Sequence, residues 1–367
     1  MPAESEISSI PTLRARPADQ LDLPPLPEAP FFDFDLNAWV FSRHADILAA
    51  FRSPGLFPVS PRSDTPARQP SEADHQKMRT ETAEALSAAQ LAAWRNFLFP
   101  GAEILAARLA AGNPREEPID LLASYARPLC LSLAAEVTGL PRQVAESLWE
   151  IARRVSAASA EPNDPALHTV ADNANEELKR HFHAGPALLR DSTFVALSQT
   201  MPCLLGNAWH ALIQHPEQWS LLHEQPGLVE NAVEELLRYA GLVRMLMREA
   251  GADLDLNGTL VRKGQRIVLR VTAGNRDPER FSRPGEVDIR RRDGGHLALG
   301  AGAHSCVGAS LIRLTAIVLT QALVQQFAAA KLSKTVEWQG GAGFCSPRAL
   351  WVKLDLESKG GGHGGSV

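Results

Sequence analysis

Between positions 72 and 240 apolar residues recur every three to four positions, the spacing that lays one apolar stripe along a helix. This pattern predicts helices over 72–91, 90–112, 118–138, 142–158, 170–184, 190–214, 217–223 and 227–240. After Gly251 the character changes. Stretches 254–256, 259–261 and 266–272 carry β-branched residues between Asn-Gly and Lys-Gly turns and predict strands. Ahead of the helical part, 39–41 reads as a short strand and 45–52 as a helix, followed by a loop over 53–70 with five prolines. Residues 273–305 read as loop, 307–329 as a long helix and 351–356 as a closing strand. The expected fold is therefore mainly α with a smaller β-rich lobe. Residues 1–31 form an extended N-terminal arm, 32–357 a single domain, and 358–367 a flexible Gly-rich tail.

Composition narrows the function. Lysine and arginine number 37 against 42 aspartates and glutamates, a net charge of −5, which argues against nucleic acid as the main partner. The 45% hydrophobic share is too high for a disordered chain. Cys130, Cys203, Cys306 and Cys345 form no C-x-x-C pair, so neither a disulfide framework nor a structural zinc site is expected, and a cytoplasmic setting fits. The N-terminus lacks the apolar run of a signal peptide. The most apolar later stretch, 311–330, is broken by Arg313, Gln321, Gln325 and Gln326, so it reads as a buried helix and no membrane anchor is expected.

The most informative chemistry lies in His296-Leu-Ala-Leu-Gly-Ala-Gly-Ala-His-Ser-Cys-Val-Gly308. A cysteine just ahead of a helix sits at the positive end of the helix dipole, which should lower its pKa and favour thiolate. Gly300, Gly302 and Gly308 let backbone approach something flat and bulky, and a thiolate among glycines suits an axial ligand of haem iron. Three other readings compete. Gly300-x-Gly302 could open a dinucleotide fingerprint, but Ser305 stands where the third glycine belongs and the strands come too late. Cys306 and His304 could be nucleophile and base, although residues two apart near a helix start seldom face each other. A merely structural cysteine is the third.

This segment resembles the haem-binding signature of the cytochrome P450 family, Phe-Gly-x-Gly-x-His-x-Cys-x-Gly. It matches at Gly300, Gly302, His304, Cys306 and Gly308 and departs at Leu299, where the family has Phe. The resemblance implies the fold of that family around one haem b, with Cys306 as axial iron ligand. Glu235-Leu-Leu-Arg238 resembles the family's structural E-x-x-R element. Its usual third partner would here fall on Glu286, so the network is expected to be altered or to borrow Arg283 or Arg280. By the same resemblance His75, Arg79, Arg248 and His304 are expected at the haem propionates. His75 and Arg79 stand one helical turn apart, and Arg248 follows Arg238 by ten residues.

The family's distal helix carries Ala/Gly-Gly-x-Asp/Glu-Thr; here the corresponding stretch is Ala196-Leu-Ser-Gln-Thr200. The alcohol Thr200 is kept, the acid becomes Gln199, and the glycine becomes Leu197. Glutamine hydrogen-bonds but does not titrate, so proton delivery is expected from Thr200, Ser198 and water, or from the substrate. Pro202 should bend this helix by freeing the Ser198 carbonyl. Leu197 is expected over the haem, and Val243 and Arg244 beside the substrate, with Arg244 able to hold a carboxylate. Only Gly185–Arg190 remains where relatives have further lid helices, so the pocket should be more open or completed by a partner chain. The resemblance thus implies an O2-dependent monooxygenase acting on a small organic or natural-product intermediate. Electrons would come from a ferredoxin or flavodoxin with its NAD(P)H reductase, steered by the basic run Arg290-Arg-Arg292. Alternatives are a peroxide-using or non-hydroxylating haem-thiolate enzyme, and a helper protein that binds and activates a partner enzyme.

Overall fold

Capping residues and prolines cut the apolar periodicity into separate helices. The computed structural model describes residues 29–58, 72–112, 114–160, 164–182 and 189–356; most of the N-terminal arm, part of the proline-rich loop, most of the shortened lid and the Gly-rich tail lie outside them. The helices are α1 (His44–Arg52), α2 (Glu72–Ala85), α3 (Ala88–Ala111), α4 (Arg127–Thr138), α5 (Arg142–Ala160), α6 (Pro165–Lys179), α7 (Asp191–Val195), α8 (Met201–Gln214), α9 (Pro216–Glu224), α10 (Val229–Ala240), α11 (Val271–Gly274) and α12 (Ala309–Gln326). Ser87 accepts a hydrogen bond from the Gln90 N–H, which ends α2 and starts α3 inside the stretch predicted as one helix to 91. Gly139, at φ 69°, closes α4 in the left-handed region. The segment predicted as helix from 118 begins as a short strand and a π-helical turn, Leu122–Ala126, before α4.

Strands occupy more of the chain than its pattern predicted. They are β1 (Phe31–Asp33), β2 (Ala38–Phe41), β3 (Leu56–Pro58), β4 (Ile119–Asp120), β5 (Leu246–Ala250), β6 (Leu254–Leu256), β7 (Thr259–Val261), β8 (Arg266–Leu269), β9 (Ala329–Leu332), β10 (Trp338–Gly340), β11 (Cys345–Pro347) and β12 (Trp351–Asp355). The largest sheet runs β1-β2-β8-β5-β3. Strand β8 is its centre, parallel to β2 and antiparallel to β5, with Leu246 opposite Leu269. It stops at Leu269 instead of continuing to 272, because Val271–Gly274 turns into a single helical turn. Strand β5 carries Arg248 and Glu249 among its five residues and lacks a regular alternation, which is why periodicity alone passes over it.

The helical core is tied together by buried aromatics whose polar ends find partners. Trp209 Nε1 donates to Thr320 Oγ1 at 3.0 Å, Trp219 Nε1 to the Phe327 carbonyl at 2.9 Å, and the Tyr125 hydroxyl to the Leu319 carbonyl at 3.1 Å. All three reach α12 or the residue just beyond it, so the helix that follows Cys306 is held from three directions. A second, smaller core lies under the large sheet and includes Phe41, Phe51, Ile267, Leu269 and Leu297.

Between these two cores sits a buried ion network. Glu235 and Arg238 on α10 are both buried and paired twice, at 2.7 and 2.8 Å. Arg238 also donates to the carbonyls of Asn275, Pro284 and Glu286 at 2.8, 2.9 and 3.0 Å. The second arginine on Glu235 is Arg291, at 2.9 Å. This corrects the expectation that Arg283 or Arg280 would serve. Arg283 is exposed and pairs with Glu286, whereas the Asp288 N–H donates to Glu235 and so delivers Arg291 to it. The run Arg290–Arg292 is therefore not a uniform basic face, since its middle member points inward.

Removing one member of a buried, multiply bonded ion pair strands the other. We expect Glu235→Ala, Arg238→Ala and Arg291→Ala each to lose about 3–5 kcal/mol of stability in denaturant unfolding, and Arg283→Ala to stay within about 0.5 kcal/mol of the parent. Equal effects of Arg283→Ala and Arg291→Ala would contradict the assignment.

Candidate active site

The cysteine loop is built from the ion network outward. Asn275, whose carbonyl Arg238 grips, uses its side-chain oxygen to accept the Leu297 N–H at 2.6 Å. On the other flank, His44 Nε2 lies 2.8 Å from the Gly295 carbonyl and the His44 N–H donates to Asp277 at 2.7 Å. Both ends of the loop are thus fastened before it turns. Inside it, the Gly300 N–H bonds the Leu297 carbonyl and the Cys306 N–H bonds the Leu299 carbonyl at 2.9 and 2.8 Å, enclosing a 3₁₀ turn at Gly302–His304. Leu299 packs against the main core.

The glycines serve different ends. Gly302, at φ 71°, lies against α1: a Cβ there would stand 2.5 Å from the Phe51 carbonyl oxygen. Its small size serves protein packing and not approach to a cofactor, which corrects the common purpose expected for all three. A Cβ on Gly308 would meet nothing within 4 Å. The space beside the thiol is open on the Gly308 side.

Helix α12 begins at Ala309, so Cys306 stands ahead of its N-cap and not directly on the helix end. The expected lowering of its pKa is not found. Burial pushes the Cys306 thiol up, while the Gly308 N–H bonded to its sulfur, and then Arg79 and Arg313, pull the other way. Nearby, the rings of His75 and His304 stack with centroids 4.7 Å apart and 39° between their planes. Arg79 donates to the Ser305 carbonyl and hydroxyl at 2.8 and 3.1 Å. His75, Arg79 and His304 are thus brought together from α2 and the cysteine loop. Arg248 stands on β5, its Nη1 donating to the Met247 carbonyl at 2.8 Å.

The distal helix is continuous from α7 through α8 but changes gauge between them. Ala196–Thr200 is a π-helical turn in which the Met201 N–H reaches the Ala196 carbonyl, and Pro202 follows immediately with no N–H to offer. Two cavities flank it. The larger, about 840 Å³, is lined by Ala196 and Thr200, by Met245–Arg248, and by Gly343 and Phe344. The smaller, about 370 Å³, is lined by Trp149, Ser198, Gln199, Thr200, Cys203 and Phe344, among others. Thr200 and Phe344 face both. Gln199 Nε2 donates to the Trp149 carbonyl at 3.2 Å and lies 3.5 Å from Ser198 Oγ, so the amide replacing the family's acid is turned towards α5.

None of the three expected substrate residues, Leu197, Val243 and Arg244, lines either cavity. Leu197 is buried in the main apolar core and lines neither cavity. Val243 forms a β-bridge with Phe344 and packs into the smaller core. Arg244 is buried, with its Nη1 3.4 Å from the Gly341 carbonyl. The residues at positions 185–188 of the shortened lid lie outside the described residues. Sequence reasoning missed Asn275, which lies in the stretch read only as loop, and Arg291, read as part of a basic run that steers a partner. Neither carries a local signal for the partner it finds.

With this geometry in view, comparison with known proteins is informative. The Cytochrome P450 family profile matches residues 214–340, from the end of α8 through the cysteine loop and α12 to β10. The biotin biosynthesis cytochrome P450 of Bacillus subtilis is 29% identical over 295 residues, covering 72% of this chain and 73% of that protein. The vitamin D(3) 25-hydroxylase of Pseudonocardia autotrophica is 28% identical over 321 residues, covering 76% and 78%. Among solved structures, P450BioI in complex with hexadec-9Z-enoic acid ligated acyl carrier protein shares the fold, with a TM-score of 0.76 at 23% identity, covering 87% of this chain and 92% of that one. No helix among the described residues is long and apolar enough to cross a membrane. The mainly helical fold, the thiol loop anchored to a buried E-x-x-R network and these likenesses agree: the chain belongs to the cytochrome P450 family of haem-thiolate monooxygenases.

Proposed function

We propose that this protein is an O2-dependent monooxygenase that oxidises a small organic or natural-product intermediate with electrons from a ferredoxin or flavodoxin and its NAD(P)H reductase. The observation that carries the reading is the cysteine loop: a thiol pinned by backbone bonds on both flanks, beside open space at Gly308, with His75, Arg79 and His304 gathered close by. These residues fit haem b. Cys306 Sγ would bind the iron, and His75, Arg79, His304 and, from β5, Arg248 would hold the propionates as charge-assisted donors. When bound, the haem supplies an iron centre able to activate dioxygen.

The chain's own part is positioning and proton traffic. The Gly308 N–H donates to Cys306 Sγ and tempers the charge on the sulfur. Thr200 lines both cavities, and its hydroxyl is the alcohol that would hold a proton or water there. Ser198 and Gln199 line the smaller cavity and order water there without supplying an acidic proton. The larger cavity is the substrate compartment. A partner chain completes the lid, as the short connection from α6 to α7 supports. The relatives named for biotin biosynthesis and vitamin D(3) hydroxylation support a small-molecule substrate. A cytoplasmic setting accords with four free thiols.

Gln199 gives a second reading specific footing. Peroxide carries both the electrons and the protons that dioxygen must be given, so a chain without the acid loses less by using it.

Three outcomes test this reading. The reduced protein with carbon monoxide should show the red-shifted Soret band of thiolate-ligated haem, and Cys306→Ser should lose it while staying folded; a folded parent without the band refutes the assignment. Gly302→Ala should lose stability, by about 1–3 kcal/mol for forcing a side chain into a positive-φ, crowded site, whereas Gly308→Ala should unfold like the parent yet retain less haem on titration. Product formation should require dioxygen and the electron donors; equal or better turnover with hydrogen peroxide alone would favour the second reading.

A further inference from the structure

The glutamate beside the E-x-x-R pair has ties of its own. Glu234 receives Arg313 of α12 in a two-pronged contact, Nε donating to one carboxylate oxygen at 2.6 Å and Nη2 to the other at 3.1 Å. The second oxygen also lies 3.2 Å from Nε2 of His296, the first residue of the cysteine loop. The His296 side chain is buried, and its Nδ1 accepts the Ala298 N–H at 3.3 Å. That leaves a ring N–H on Nε2, which has no aligned hydrogen bond among the described residues and stands beside Glu234. One carboxylate thus joins a residue ten positions ahead of Cys306 to one seven positions beyond it.

The contact is electrically strong and bears on the thiol. Burial alone would raise the Glu234 carboxyl, yet its bonds to His296 and Arg313, and then their charges, hold it at about 2. The bond to Glu234 raises the Arg313 guanidinium in turn, against burial, and the charges of Glu234 and Cys306 add to the rise. Arg313 acts reciprocally on Cys306, where Arg79 is the other cation that lowers the thiol. Arg79 is engaged with Ser305 and, on the haem reading, with a propionate, whereas Arg313 has no assigned part. The start of α12 keeps Arg313 in range, since the Ala309 N–H bonds the Cys306 carbonyl at 3.3 Å and the Ile312 N–H the Gly308 carbonyl at 2.9 Å. The side chains of Arg313 and Glu234 are 37% and 44% exposed, so an arginine without its carboxylate could turn out into water.

We propose that Glu234 is a positioning residue for the thiolate: its carboxylate clasps His296 to Arg313 across the base of the cysteine loop and holds the arginine's charge on the Cys306 side. This rests on the haem-thiolate reading and adds to it a residue that tunes the iron ligand. A fixed cation near the sulfur offsets part of the charge that the thiolate lends to the iron, and so favours the reduced, more negative state. Two adjacent glutamates of α10 then have separate tasks. Glu235 fixes the loop region through Arg238 and Arg291, and Glu234 sets the field at the thiol through Arg313.

The test is a redox titration of the haem-loaded protein against a dye of known potential, for the parent, Arg313→Gln, Arg313→Lys, Glu234→Gln and the Arg313→Gln, Glu234→Gln double variant. Arg313→Gln should shift the ferric–ferrous equilibrium towards ferric by about threefold or more, the scale of one unit charge at a half-exposed position. Arg313→Lys should recover part of that shift. Glu234→Gln should also shift it towards ferric, although it removes a negative charge, because the released Arg313 turns into water. Added to Arg313→Gln, it should move the equilibrium no further that way. In mild denaturant the carbon monoxide complex of both single Gln variants should lose its red-shifted Soret band faster than the parent. Arg142→Gln, which breaks an exposed pair on α5, should change neither readout. No shift in Arg313→Gln, a shift towards ferrous in Glu234→Gln, or additive shifts in the double variant would overturn the proposal while leaving the haem-thiolate reading intact. A folded parent without the red-shifted band would refute that reading, and this proposal with it.

Discussion

The buried contact between Glu235 and Arg238 is the constraint on which the rest of the site depends. Each of these side chains would be expensive to bury alone. Together they become an anchor, because Arg238 spends its remaining donors on the carbonyls of Asn275, Pro284 and Glu286, and Glu235 takes Arg291 and the Asp288 N–H. One helix turn of α10 therefore organises a loop region with little regular secondary structure of its own. Asn275 passes that order on, since its side chain receives the Leu297 N–H at the root of the cysteine loop. The position of Cys306 is in this sense set about seventy residues upstream in the chain, through two hydrogen-bonded links.

The distal helix is not regular along its length. The π turn at Ala196–Thr200 and the missing N–H of Pro202 leave the distal helix with fewer internal bonds where Thr200 meets both cavities. Within this turn Leu197 lies in the core, while Ser198 and Gln199 line the smaller cavity. The same stretch makes Phe344 and Thr200 a shared wall between two compartments.

Much of the fold was legible because its signals are local. Helix stripes act within a few turns of the chain and locate most of the helices, although the Ser87 cap that divides α2 from α3 was passed over. The β lobe was only partly legible. Strands β5, β9 and β10 are short or carry charges, and their membership in a sheet is settled by partners far away, such as β8 for β5. The pKa of Cys306 was misjudged for a related reason. The dipole argument considers the following helix alone, whereas the burial that outweighs it comes from segments brought in from elsewhere.

The amino-acid sequence alone determined the helical class, the identity of the thiol loop and the pairing of Glu235 with Arg238, since each is written in spacings of a few residues. Only the tertiary structure decided that Arg291 completes that pair, that Gly302 answers to the Phe51 carbonyl, that Leu197 lies in the main core, and that Arg248 lines the larger cavity. The physical reason is common to all four. Each depends on which distant segments the closed chain brings within a few ångströms, and a charge, a glycine or a leucine carries no mark of its partner until burial has chosen one.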